Sequence, residues 1–215
     1  MPSVDLFSGV MFVANLVMST AIFALCVEVA NRWKNRKMLS FEFVMTGANN
    51  LASFVLFTYW MFYGSGPMLL LAAASGILLS SFLSAAVMRM LYSPKPPLNW
   101  ILATYVFIPA IYIMTSDLQL MLFHSMTINA LVMTVSFAMV CAAGRGRMKL
   151  FGAAGAVAGL LAMAYMYFFV AGVNAMMLWT GVDALAVVAF AGFLWTSLKR
   201  PRDFIADYNA RKDGK

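Results

Sequence analysis

Charge is scarce in this 215-residue sequence: 11% of residues are Asp, Glu, Lys or Arg, where a soluble domain carries about a quarter. Histidine occurs once and cysteine twice. A single His124 leaves no pair of haem ligands. Cys26 and Cys141 stand alone, without a Cys-x-x-Cys or a nearby histidine, so the spacing of a zinc site is missing and both thiols read as packing residues. No Ser/His, metal or paired-carboxylate constellation is visible, so the sequence points to neither an enzyme nor a cofactor. What it has in excess is apolar side chains, 63% of the chain, with a mean hydropathy of +0.85. A soluble domain, a disordered tail and a nucleic-acid-binding module are excluded. An all-α, multi-pass integral membrane protein remains.

Seven apolar stretches, at about 7–31, 41–63, 67–92, 98–116, 117–142, 150–172 and 174–198, approach or exceed the ~20 residues a helix needs to cross hydrocarbon. Strands would need closure into a barrel and alternating patterns, which the run from Met68 to Ala74 lacks. The breaks are Gly64-Ser-Gly-Pro67, Ser93-Pro-Lys-Pro-Pro97, Thr115-Ser-Asp117, the run from Gly144 to Lys149, and Gly172-Val-Asn174. Gly and Pro punctuate helices, and Pro67 suits a first helical turn.

With seven spans, all 15 Lys and Arg residues fall on one side and only Asp5 and Asp117 on the other. The positive-inside rule makes the basic side cytoplasmic, with the N-terminus outside and the C-terminus inside. The net charge of +7 then reports topology and contact with anionic lipid head groups, in a plasma membrane of the bacterial inner-membrane kind. Trp60, Tyr63, Tyr112 and Tyr167 are expected at the outer interface, and Trp33, Tyr92, Trp100 and Trp195 at the inner one. The first span reads as an uncleaved signal-anchor. Residues 199–215 read as a short basic cytoplasmic tail after a single transmembrane domain over 1–198.

An internal repeat is suggested at an offset of 115, where the segment from Leu16 to Cys26 lies over that from Leu131 to Cys141. At 108, Gly47, Tyr59 and Gly64 meet Gly155, Tyr167 and Gly172. This describes a 3+1+3 plan: units at 7–92 and 117–198, parallel to each other, joined by a linker helix at 98–116 that contains Pro109. Apolar helices also share Leu, Val, Met and Ala through composition alone, which is the competing explanation.

Polar residues deep in an apolar span mark function or packing. Asp183 lies about nine residues into its stretch, ~14 Å deep at 1.5 Å per residue. A lone acid there must be paired, protonated or facing water. His124, ~10 Å deep by the same measure, is placed to hydrogen-bond it, or else is a neutral ring satisfied by a Ser or Thr. Asn49, Asn50, Asn15 and Asn129 also fall within spans. Amides suit the wall of a path for an uncharged or zwitterionic solute, and they also serve as glue between helices. Glu28 and Glu42 read as interfacial salt-bridge partners, with Arg32 one turn from Glu28. Gly76-x-x-x-Ser80-x-x-x-Ser84 and Gly155-x-x-x-Gly159 are close-packing signals.

The segment Asp183-Ala-Leu-Ala-Val-Val-Ala-Phe190 resembles the seventh helix of microbial rhodopsins, in which an Asp stands four residues before the retinal-binding lysine. The resemblance implies the same seven-helix, N-outside plan. Position 187 is Val, and the family's Arg-x-x-Asp-Trp and Trp-x-x-Tyr-Pro patterns are missing, so it implies no retinal.

The functional expectation is a small transporter or channel for a small polar solute. Asp183 and His124 would bind solute or couple protons, and Asn49, Asn50 and Asn129 would line the path. The alternatives are a seven-helix sensor or receptor, or an accessory subunit of a membrane complex. The expected partners are the bilayer, the solute, and either a second copy of the chain or another membrane protein. Nucleic acid is not among them.

Overall fold

A computed structural model describes residues 6–64, 66–91, 118–144, 146–171 and 175–198. Among these, all regular structure is helical: α1 (Leu6–Arg32), α2 (Lys37–Tyr63), α3 (Gly66–Leu91), α4 (Leu118–Ala143), α5 (Arg147–Val170) and α6 (Met176–Leu198). The linker helix expected at 98–116 and the tail at 199–215 lie outside the described residues. Five of the six helices are long and apolar enough to span a membrane. The exception is α2, whose Glu42, Asn49 and Asn50 lower its hydropathy. A multi-pass membrane protein follows from this helix set.

Local chemistry sets the helix ends. The α1–α2 turn is closed by Arg36 N–H donating to Trp33 O at 2.7 Å, with the Arg36 guanidinium over the Trp33 ring. Helix α2 ends at Gly64, which adopts φ 66° and donates its N–H to Trp60 O. A residue with a Cβ is strained in that left-handed conformation, and glycine is not.

Each helix packs against the next one described in the chain, and α6 packs back against α1, so the six close a ring. Short turns make α1/α2, α2/α3 and α4/α5 antiparallel. By contrast, α3 and α4 run parallel: Leu69 and Ala72, early in α3, share a cluster with Met126 early in α4, while Leu83 and Val87 share another with Phe137 and Val140. Helices α6 and α1 are also parallel, with Thr180 against Met11 and Phe190 and Phe193 clustered with Ile22 and Cys26.

Arg32, Lys34, Arg36, Lys37, Arg89, Arg147 and Lys149 gather at one end of the ring, called here the basic end. Among the described residues, the charged side chains other than Asp183 all lie there. The outer surface is apolar between the ends, with Val17, Val55, Leu71, Leu131, Leu160 and Val188 exposed, as a lipid-facing surface requires.

Small residues set the closest helix approaches. Gly155 and Gly159 of α5 lie against Phe137, Thr134 and Ala130 of α4. Gly47 of α2 lies against Cys26 and Phe23 of α1.

Glu28 and Arg32 pair at 2.8 Å, largely exposed. Glu42 is a salt-bridge partner, as expected, but a buried one. It is 3% exposed and accepts from Nε and Nη2 of Arg89 at 2.8–3.0 Å. Its depth along α2 is near the helix end, but α3 crosses over it and removes it from water.

Candidate functional site

Two aromatic layers cross the inside of the ring. Near the end opposite the basic one, Phe54, Phe57 and Trp60 of α2 meet Tyr165 and Phe169 of α5 and Trp179 of α6. Phe57 lies 5.7 Å from Phe169 and 5.1 Å from Trp179, and Tyr165 lies 5.0 Å from Trp179. Toward the basic end, Phe193 of α6 lies 5.4 Å from Phe43 of α2 and 5.7 Å from Phe137 of α4. Apart from Tyr165–Trp179, these contacts join helices that are not neighbours around the ring, so they fill its centre.

A cavity of about 130 Å³ lies between the layers, and all six helices contribute to its wall. Its polar groups come from Ser19, Asn50, Ser53, Asn129, Tyr165, Trp179 and Asp183. Gly76 of α3 also lines it, and a Cβ there would stand 2.7 Å from the Asn129 amide nitrogen. The missing side chain is what lets Asn129 reach α3.

Asp183 is 7% exposed. Its carboxylate accepts from the indole N–H of Trp179, one turn earlier on α6, and its Oδ2 has no partner. Asn129 is 8% exposed with an unpartnered Oδ1, and Asn50 has an unpartnered Nδ2. Buried polar groups are normally satisfied. Three unsatisfied ones around a single cavity form a set of two acceptors and one donor that a ligand or water can complete.

The structure thus brings Asp183, Asn129 and Asn50 to one wall. Asn49 is elsewhere, with its Nδ2 donating to Met45 O at 2.8 Å within its own helix. Consecutive residues on a helix point ~100° apart, which separates the two amides. His124 does not line the cavity, and its ring lies edge-on to Phe123 at 5.5 Å. Asn15 is fully buried in α1, one turn before Ser19, and neither of its side-chain polar atoms has a partner.

Sequence reasoning missed Trp179, Tyr165, Ser19, Ser53 and Gly76 as site residues. Trp179 carried a readable signal, since its spacing of four residues from Asp183 places both on one helix face. Tyr165 carried none, because aromatic residues near span ends are expected at the lipid interface.

No known protein family, curated protein or solved structure matches this chain. The site is therefore read from its own residues.

Proposed function

We propose that the protein is a seven-span carrier for a small polar solute, which binds in the central cavity between the two aromatic layers. The observation that carries this reading is the cavity wall itself. All six helices contribute to it, and it holds an incompletely satisfied carboxylate and two incompletely satisfied amides. Unlike the unpartnered amide of Asn15, which does not line the cavity, these three groups share one space.

The two layers fit a carrier's need to open one side at a time. Leu91 ends α3 at the basic end and Leu118 begins α4 at the opposite end, because α3 and α4 run parallel. The separation of these two helix ends supports a seventh crossing and the 3+1+3 plan. Residues matched by the repeat also share orientation: Leu16 and Leu131 face outward, and Ile22 and Phe137 face inward. Binding between repeat units near midplane is a recurrent transporter design. In this reading the basic end faces the cytoplasm of a plasma-membrane protein.

Proteoliposomes test the proposal. Vesicles containing the protein are challenged with urea, N-methylurea, glycine, ethylammonium chloride and methylguanidinium chloride, and swelling is followed by light scattering. At least one solute is expected to enter faster than into empty vesicles, with the excess lost in Asp183→Asn. Rates equal to those of empty vesicles for the whole set would remove the carrier reading. Single cysteines at Asn35 and Tyr63, in a background with Cys26 and Cys141 replaced by Ala, are expected to label from opposite sides of the membrane.

A further inference from the structure

The cavity has an unbalanced set of partners to offer. Asp183 brings a carboxyl group that is negative when ionised, and no described cation lines the wall, since the described Lys and Arg residues lie at the basic end. Two acceptors, Asp183 Oδ2 and Asn129 Oδ1, are unpartnered against one donor, Asn50 Nδ2. Trp179, Tyr165 and Phe54 complete the wall, and aromatic rings attract cations over their faces. A buried carboxylate repels an anion, and a neutral solute leaves its charge uncompensated where the dielectric is low. Size adds a limit. A cavity of about 150 Å³ holds benzene, so one of about 130 Å³ takes roughly five or six heavy atoms.

Resting on the carrier reading, we propose that the central cavity binds a compact organic monocation bearing N–H donors, of the guanidinium or primary-ammonium type, with Asp183 as its counter-ion. Asn129 Oδ1 accepts a second N–H from the same group. Asn50 Nδ2 is left to donate to a ligand hydroxyl or to a water. The aromatic faces cover the cation's apolar side. Substrate selection in this site is then by charge and donor count.

Methylguanidinium and N-methylurea test this directly, because they share size and shape and differ in charge. The purified full-length protein in detergent is titrated with each, at constant ionic strength in sodium chloride. Binding is read by calorimetry and by the shift in thermal unfolding. Methylguanidinium is expected to bind at least about tenfold more tightly than N-methylurea, the scale of one hydrogen bond to a charged group. In Asp183→Asn the two are expected to bind within about twofold of each other. Asp183→Glu, which keeps the charge, is expected to retain the preference and guards against a folding defect in the first variant. Equal affinities in the unmodified protein, or a preference that survives Asp183→Asn, would overturn the inference. The vesicle assay separates this from the carrier reading. Methylguanidinium that binds but does not cross upholds the ligand class and removes transport. Entry of N-methylurea without cation binding upholds transport and removes the ligand class.

Discussion

Glu42 and Asp183 are both buried acids, 3% and 7% exposed, yet they sit in differently built parts of the ring. Glu42 lies near the basic end, beside the apolar layer of Phe43, Leu83 and Phe193, and Arg89 answers it through both carboxylate oxygens. Asp183 lies between the aromatic layers, receives one indole N–H, and keeps an oxygen without a partner. Desolvating a carboxylate is expensive, and the fold offsets that cost where the charge serves packing. Where the group faces a cavity, the same cost is left standing. The difference separates a structural charge from one available to a ligand, and it can be broken by mutation from either side.

The largest effect is expected at the answered charge. Arg89→Ala leaves Glu42 buried without its partner, which costs about 3–5 kcal/mol. Chemical unfolding in detergent measures it, and the Glu42→Ala/Arg89→Ala double variant should recover part of the loss. Recovery of nothing would show that the pair is not the reason for the arginine's placement. Next comes the aromatic layer toward the basic end. Phe193→Ala removes the ring that joins Phe43 to Phe137 and is expected to cost about 3 kcal/mol. It should also increase solute leak in vesicles, because the centre of the ring is no longer filled there.

How much of this was legible depends on the kind of interaction. The ends of the apolar runs are written in local chemistry, and Gly64 closes α2 where the Gly-Ser-Gly-Pro turn predicts. Helix α2 starts at Lys37 rather than residue 41, and α5 at Arg147 rather than 150. Basic side chains can sit in water while their backbone is already helical, so an apolar run marks the hydrocarbon and not the helix. That Asp183 lies well inside an apolar helix was readable by counting residues. Its partner was not, because the expectation looked to His124 on another helix and passed over Trp179 one turn away. Asn49 and Asn50 looked alike in sequence, and only the rotation of α2 against its neighbours sends one to a backbone carbonyl and the other to the cavity. The burial of Glu42 was not readable for a similar reason. Its distance from the helix end is local, but its cover by α3 is a long-range fact. The closing contact of α1 with α6 is equally invisible to any local pattern.

Close helix approach provides a smaller perturbation. Gly159→Leu inserts a side chain where Thr134 and the Ala130 carbonyl already sit. Overpacking of this kind costs about 1–3 kcal/mol, read as a lower unfolding midpoint. Gly76→Ala is milder in volume but displaces Asn129. Its signature should be weakened methylguanidinium binding at nearly unchanged stability.

The smallest effect on stability is expected at Asp183, although this is the residue with the largest proposed effect on function. Asp183→Asn keeps a carbonyl oxygen that can accept from Trp179 and removes a carboxyl group that no described cation pairs with. Truncating a partner of a buried ion pair is destabilising, whereas neutralising a buried group that lacks an ionic partner removes a desolvation cost. The unfolding midpoint of Asp183→Asn should therefore match or exceed that of the unmodified protein, within about 1 kcal/mol of stability. Arg89→Ala should fall well below both. A loss in Asp183→Asn as large as that in Arg89→Ala would place the two acids in one class. The carboxylate at the cavity would then be a packing group, answered in the folded protein as fully as Glu42 is by its arginine.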